Sequence, residues 1–162
     1  MVPLDEVLAS EGLVVYALNG QSLTREHGGP ARLLVPGRYG FHNVKWLTRM
    51  ELLDHPAEGY WEARGWTATS VHTLSRIDLV QALPDGRLLA GGVAFAGRRG
   101  ISAVEVRMND GPWQPAELHT PALAATSWVQ WLADLPLPEG EARISARAVD
   151  GDGVPQREDE QP

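Results

Sequence analysis

Residues 23–46 decide the fold of this chain and read LTREHGGPARLLVPGRYGFHNVKW. The apolar run from Ala31 to Val35 predicts a buried strand, and the Pro36-Gly37 pair predicts the turn that closes it. From residue 25 to residue 49 there are five Arg or Lys residues against one acidic residue, whereas the rest of the chain has nine against twenty. Because local charge concentrates anions, this basic segment predicts a site for phosphate or another small anion.

A simpler interpretation of the same charges stays open, in which the cations are solvated or pair with nearby acids. Arg32 and Lys45 have Glu26 and Glu51 as acidic neighbours in the sequence. Charge alone favours this simpler interpretation, because Arg and Lys side chains are mostly exposed on protein surfaces. The order and the spacing of the residues favour the anion site.

The motif residues occur at many fixed offsets, which makes this pattern more specific than a lone glycine motif. They are Leu23, His27-Gly28, Pro30, Arg32, Leu33-Leu34-Val35, Pro36-Gly37 and Asn43-Val44-Lys45-Trp46-Leu47. This arrangement resembles the C-terminal end of the molybdopterin-binding domain of the sulfite oxidase family. That family has His-Gly-x-Pro-x-Arg, an apolar strand, Pro-Gly and a segment ending in Val-Lys-Trp-Leu.

The resemblance implies that His27, Arg32, Asn43, Val44 and Lys45 match family positions that hold Mo-molybdopterin, so a partial pocket for this cofactor is expected here. The cofactor is a pterin-dithiolene with a phosphate tail. Arg32 would present a bidentate fork, and Lys45 a compact charge. His27 can donate from one ring nitrogen and accept at the other.

His42 departs from the family pattern, in which an arginine often precedes the x-Val-Lys-Trp segment and contacts the anionic substrate. A histidine keeps a possible cation but loses the permanent charge and the fork. We therefore assign no catalytic residue and treat His42 as a candidate contact to the substrate. The loss of the arginine argues against sulfite as the substrate of the parent enzyme. A structural histidine bonded to the backbone is the alternative.

The chain has no cysteine, which excludes disulfides, zinc-thiolate sites and thiol nucleophiles. In the family that it resembles, a cysteine thiolate far upstream of the His-Gly motif binds molybdenum. We therefore expect the C-terminal part of a longer oxidoreductase, without turnover on its own. Two alternatives are a non-catalytic self-association module and one half of a split molybdoenzyme, whose upstream cofactor-domain half lies on another chain.

Around the central stretch, the pattern predicts a short helix at 3–10, a strand over Leu13–Leu18, an Asn19-Gly20 hairpin turn and a strand over Val44–Leu53. Residues 54–73 read as a packed connecting segment. We thus assign 1–73 to the tail of an α+β cofactor domain.

Short strands with turn signals recur from Leu74 onward and predict an all-β sandwich in a mainly β chain. The second half resembles the immunoglobulin-like dimerisation domain that follows the cofactor domain in sulfite oxidases. The matching pieces are Gly91–Phe95, Val104–Arg107, Gly111-Pro112-Trp113, Trp128 with Trp131, and Ala146–Asp150. The resemblance implies a homodimer through residues 74–156. It also implies that the last strand is missing, with 157–162 as an acidic tail.

Composition excludes several functions. A net charge of −7 and a pI of about 5.2 argue against a nucleic-acid partner, which needs a basic face. No apolar run is long enough to span a bilayer. The scattered His55, His72 and His119 lack metal-ligand spacing. Asp150-Gly151-Asp152-Gly153 lacks the further ligands of a calcium loop, so we predict a solvated turn there.

Overall fold

The computed structural model describes residues 1–9, 11–66 and 70–157. The chain divides into two compact units, Met1–Val71 and a second that begins at His72. Apart from Arg157, the predicted acidic tail lies outside the described residues. In the described part of the chain, no helix is long and apolar enough to cross a membrane.

The first unit is built from short elements. They are the helix α1 (Leu4–Ala9), the strands β1 (Leu13–Val15), β2 (Ala17–Leu18), β3 (Gln21–Ser22) and β4 (Arg32–Leu34), and the 3₁₀ turns Gly40–His42 and Glu62–Arg64. Strand β1 pairs antiparallel with β4, and β2 pairs antiparallel with β3. The predicted helix is therefore confirmed over α1, while Ser10 lies outside the described residues.

The single strand predicted over Leu13–Leu18 is divided at Tyr16, because its two halves pair with different strands. The carbonyl of Tyr16 instead accepts a hydrogen bond from the Leu23 N–H at 3.1 Å. The predicted hairpin turn is confirmed, since Asn19 and Gly20 have φ of 52° and 78°, as a tight two-residue turn requires.

The predicted strand around Leu33 is confirmed as β4, although it is half-buried and only Val35 beside it is fully buried. The strand predicted over Val44–Leu53 is wrong. Trp46 has a φ of 53°, which interrupts an extended strand. The apolar residues that alternate with polar ones in this segment, such as Met50, are exposed. They therefore do not line a buried face.

The described residues of the second unit form seven strands in two antiparallel sheets. The strands are β5 (Leu74–Ala82), β6 (Arg87–Phe95), β7 (Ile101–Met108), β8 (Gln114–Pro115), β9 (Glu117–Leu118), β10 (Val129–Pro136) and β11 (Ile144–Asp150). One sheet has the order β5-β6-β10-β9, and the other has the order β11-β7-β8. The alternation over Ile101–Met108 predicts a strand with the observed bounds of β7. The strands that the sequence predicts over Leu88–Phe95, Trp128–Leu132 and Ala142–Val149 are recovered with shifted ends as β6, β10 and β11.

One hydrophobic core joins these sheets, because strands from both contribute buried side chains. The members are Leu88, Ala90 and Ala94 of β6, Trp131, Ala133 and Leu135 of β10, Val104 and Val106 of β7, and Ala148 of β11. Strand β10 alternates strictly between buried and exposed residues, as a strand with one face in a core does. The chain is thus mainly β with a two-sheet second half. Its immunoglobulin-like class and missing last strand stay predictions.

The sequence predicts a solvated turn at Asp150, but this residue is buried, with 3% of its surface exposed. Its Oδ2 accepts hydrogen bonds from Arg99 Nε at 2.8 Å and Thr73 Oγ1 at 3.1 Å. Its Oδ1 accepts from the backbone N–H groups of Asp152 at 3.1 Å and Val154 at 2.9 Å. The carboxylate therefore ties the end of β11 to two other segments. No cluster suited to a metal occurs among the described residues.

The pKa of Asp150 lies below its ordinary value of 3.8. Burial acts to raise this pKa, but the hydrogen bonds from the Val154 N–H, Arg99 and Thr73 and the charge of Arg99 outweigh it. The folded state therefore favours the ionised carboxylate, which stabilises the fold above the pKa of the unfolded chain.

We predict that Asp150→Asn lowers the free energy of unfolding by about 1–3 kcal/mol, because an amide nitrogen would face Arg99 and Thr73. Urea unfolding followed by circular dichroism measures the change. The exposed Asp152→Asn is the matched control and should change stability little.

The pH dependence checks the cause of this loss. The contribution of Asp150 should be complete above about pH 5 and decline as the pH falls through its lowered pKa. The difference in stability between wild type and Asp150→Asn should therefore shrink in acid. A difference that stays constant with pH would contradict the assigned role of the charge.

Candidate functional site

The turn at Thr24 to Gly29 forms the base of the candidate site. The Gly28 N–H donates to the Arg25 carbonyl at 3.0 Å, and the Gly29 N–H donates to the Thr24 carbonyl at 2.8 Å. Gly28 has a φ of 97°, and a Cβ built on it would lie 2.8 Å from Lys45 Cγ. Glycine is required here, both for the backbone conformation and for the close approach of the two segments.

Three consecutive carbonyl oxygens of this turn, those of residues 25–27, each accept a hydrogen bond from a later motif side chain. The pairs are Trp46 Nε1 to Arg25 O at 2.9 Å, Lys45 Nζ to Glu26 O at 2.6 Å, and Arg32 Nη1 to His27 O at 3.1 Å. We call these acceptors the loop carbonyls. They hold the His-Gly turn against β4 and against the Val-Lys-Trp segment.

The loop carbonyls orient Arg32 and Lys45 without neutralising them. Arg32 Nη2 also lies 3.4 Å from a backbone oxygen, that of Asn43, and Arg32 Nε is buried without a partner among the described residues. Glu51 pairs with Arg49 at 2.7 Å instead. Among the described residues, neither Arg32 nor Lys45 forms an ion pair with Glu26 or Glu51, although the nearby charge of Lys45 is one of the smaller causes that lower the pKa of Glu26.

Asn43 has its side chain fully engaged within the first unit. Its Oδ1 accepts from the Val35 N–H at 2.6 Å, and its Nδ2 donates to the carbonyls of Arg38 at 3.3 Å and Tyr39 at 3.1 Å. The amide thus braces the turn after β4. Its predicted contact with a cofactor stays a prediction, and any such contact would compete with these bonds.

Val44 and His27 are both exposed, in contrast to Asn43. The Val44 side chain is 48% exposed, and its carbonyl accepts from the Leu33 N–H at 2.9 Å. His27 Nδ1 lies 2.9 Å from Thr24 Oγ1, which leaves Nε2 as the free ring nitrogen. The structure therefore brings His27, Arg32 and Lys45 together through the loop carbonyls.

His42 is buried against Phe41, whose ring centroid lies 4.1 Å from that of His42. Its Nε2 is 3.7 Å from Glu62 Oε1, and its Nδ1 is buried without a partner among the described residues. The pKa of His42 is lowered by burial and by the charge of Arg38, while Glu62 acts to raise it. These surroundings favour the neutral ring. The alternative, a hydrogen bond from the ring to the backbone, is not formed among the described residues, and the substrate-side role stays a prediction.

Sequence reasoning missed three parts of this arrangement. Thr24 Oγ1 lies 2.9 Å from His27 Nδ1 and accepts from the His27 N–H at 3.4 Å, and Thr hydroxyls often bond nearby backbone groups at turns. A tryptophan in this motif segment is expected to pack beneath the cofactor domain, but Trp46 is 55% exposed and donates a hydrogen bond from its indole to the Arg25 carbonyl. The loop carbonyls had no signal in the sequence, because every residue has a carbonyl.

We predict that Asn43→Ala lowers the free energy of unfolding by about 1–3 kcal/mol, since the buried Val35 N–H would lose its acceptor. Urea unfolding monitored by tryptophan fluorescence measures this loss. The neighbouring Val44→Ala, at an exposed side chain, is the control. Equal stabilities of the two variants would show that the Asn43 bonds do not brace the unit.

Comparisons with known proteins identify the family to which the chain is similar. The model of the oxidoreductase molybdopterin-binding domain family matches residues 1–61. The chain is 31% identical over 186 residues to mitochondrial sulfite oxidase of Drosophila melanogaster, covering 92% of this chain and 32% of that protein. Human mitochondrial sulfite oxidase is 29% identical over 179 residues, covering 92% of this chain and 33% of that protein.

A solved structure extends the similarity to the fold. The sulfane dehydrogenase SoxCD from Paracoccus pantotrophus matches with a TM-score of 0.80 and 28% identity, covering 96% of this chain and 44% of that chain. The present chain spans about a third of the length of the curated sulfite oxidases that it matches. On the joint evidence of the domain match, the relatives and the fold, the chain belongs to the sulfite oxidase family of molybdopterin oxidoreductases.

Proposed function

We propose that residues 1–71 form part of the binding site for Mo-molybdopterin in an oxidoreductase that resembles sulfite oxidase. One observation supports this proposal above the others. Among the described residues, the side chains of Arg32 and Lys45 donate to backbone carbonyls and form no ion pair with a carboxylate. Their positive charge is oriented but still available to an anionic ligand.

The donor set fits the phosphate and pterin groups of the cofactor. Arg32 has a buried Nε without a partner among the described residues, and such a group costs free energy until an acceptor binds it. Lys45 adds a compact charge on the other motif segment, and His27 adds a ring nitrogen that can donate or accept. These three residues would hold the cofactor. Asn43 would act by shaping the turn, with Val44 exposed beside it.

The bound cofactor would supply oxygen-atom transfer at molybdenum to or from a small substrate. The protein's part in this region is to bind and orient the pterin and its phosphate. His42, buried and favoured in its neutral form, would present a donor or an acceptor nitrogen rather than a fixed charge.

We further propose that this chain does not turn over alone. None of its 162 residues is a cysteine, so it has no thiolate for the metal. A molybdenum ligand and the upstream part of the pocket would then have to be supplied by other residues. In a split enzyme, a partner chain would supply them.

A second candidate function, self-association through residues 74–156, is favoured by the outer face of the four-stranded sheet. A hollow of about 560 Å³ lies there beside Gly91 and Gly92, with Leu79 and Leu132 at its edge. Both leucines are more than 40% exposed. The lining is mixed, because polar residues such as Asp78 and Glu117 lie beside these leucines. Exposed apolar side chains among polar ones are typical of protein interfaces, and a homodimer is the proposed use.

The test is the molybdenum and pterin content of the chain purified from a host that makes the cofactor. We expect pterin in the wild type and its loss in Arg32→Ala/Lys45→Ala, because removal of both charges abolishes the oriented anion contacts. Sulfite oxidation by the pure chain should be absent.

The control is Arg49→Ala/Arg76→Ala, which removes the same charge from exposed residues that pair with carboxylates. Equal pterin content in the two double variants would contradict the proposed site. Sedimentation of the same proteins separates the second candidate, since self-association should survive in both double variants.

A further inference from the structure

Two guanidinium groups lie against one indole ring in the three-stranded sheet of the second unit. The ring centroid of Trp113 is 4.5 Å from Arg107 Cζ and 4.3 Å from Arg147 Cζ. We call these three residues the Arg–Trp–Arg cluster. It shares no residue with the candidate cofactor site.

The strand register explains why the cluster forms on the face away from the core. On β7 the buried core residues Val104 and Val106 alternate with Glu105 and Arg107, and successive side chains of a strand point to opposite faces. Strand β11 places Arg147 opposite Glu105. On the other side of β7, β8 pairs Gln114 with Val106, so that Trp113 comes next to Arg107.

The charges within the cluster are not balanced. Arg147 Nε donates to Glu105 Oε2 at 2.7 Å, so this guanidinium has a carboxylate partner. Arg107 has none among the described residues, and its Nε is buried without a hydrogen-bond acceptor there. One carboxylate therefore faces two guanidinium groups, in a chain whose net charge is −7.

Stacking on Trp113 prepares Arg107 to bind a ligand. A guanidinium that lies over a ring face donates hydrogen bonds from its edge, so the contact with the indole does not use the Nη groups of Arg107. The stack also restricts the side chain before any ligand arrives, which lowers the entropy lost on binding. A planar fork of this kind matches the spacing of two oxygens of an oxyanion.

We propose that the Arg–Trp–Arg cluster is a binding site for one oxyanion: a carboxylate, sulfate or phosphate group. Arg107 binds the oxygens through its fork, Trp113 holds that fork in place, and Arg147 adds positive charge while it stays paired with Glu105. The oxyanion comes either from a free ion or from an acidic side chain of a polypeptide, and the chemistry of recognition is the same for both.

Calorimetric titration of the full chain at constant ionic strength tests the site, with sodium sulfate, sodium phosphate and a tetraglutamate peptide as probes. We expect saturable binding with a Kd of about 1 mM for at least one probe. Arg107→Gln should weaken it at least about tenfold, and Arg107→Lys should weaken it severalfold because lysine keeps the charge but not the fork. Trp113→Leu should weaken it while all charges remain.

Arg143→Gln is the matched control. Arg143 is exposed, directly precedes β11, and its Nη2 lies 3.7 Å from the carboxylate of Asp110. This variant should bind as the wild type does. Binding of the ions alone assigns a free-anion site, and binding of the peptide alone assigns a polypeptide carboxylate; both support the proposal.

Absence of saturable binding for all three probes would overturn the proposal, and so would wild-type affinity in both Arg107 variants. Circular dichroism of each variant confirms folding. If Arg107→Gln does not fold, Arg107→Lys still tests the fork, because it preserves the charge and the length of the side chain.

Discussion

The hydrogen bonds to the three loop carbonyls are the interaction on which the first unit and its candidate site depend. They join the His-Gly turn to Arg32 on β4 and to Lys45 and Trp46 beyond it. Because the acceptors are neutral, the bonds fix the side chains while their charge stays available. A carboxylate partner would instead neutralise this charge and weaken the attraction for an anion.

The second unit contains both a charged group that is satisfied within the fold and one that is not. In the second unit a buried carboxylate, Asp150, meets Arg99 and two backbone N–H groups, and the charge is satisfied within the fold. That arrangement stabilises a sheet end and leaves nothing for a ligand. Arg107 resembles Arg32 instead, because its Nε also lacks an acceptor among the described residues. Satisfied charges mark structure here, and unsatisfied ones mark candidate sites.

Much of the fold could be predicted from sequence where local rules decide it. The Asn19-Gly20 turn follows from positive φ, and β7 follows from strict alternation. The strand predicted around Trp46 failed, because its alternation reflects contacts of a connecting segment and not one buried face. The burial of Asp150 was also missed, since its partners Thr73 and Arg99 are distant in sequence. Local patterns carry no information about such long-range partners.

Fixed spacing in the sequence identifies the candidate residues. It does not show that the Asn43 side chain braces a turn while Arg32 and Lys45 are held by backbone carbonyls. Side-chain NMR of Arg32, which follows its Nε–Hε signal before and after addition of molybdopterin, tests the central claim most directly. We expect a saturable shift of the Arg32 Nε–Hε signal, because this nitrogen gains an acceptor. The signal of the exposed Arg49, which pairs with Glu51, should change little. An unchanged Arg32 signal, or equal changes at both arginines, would contradict it.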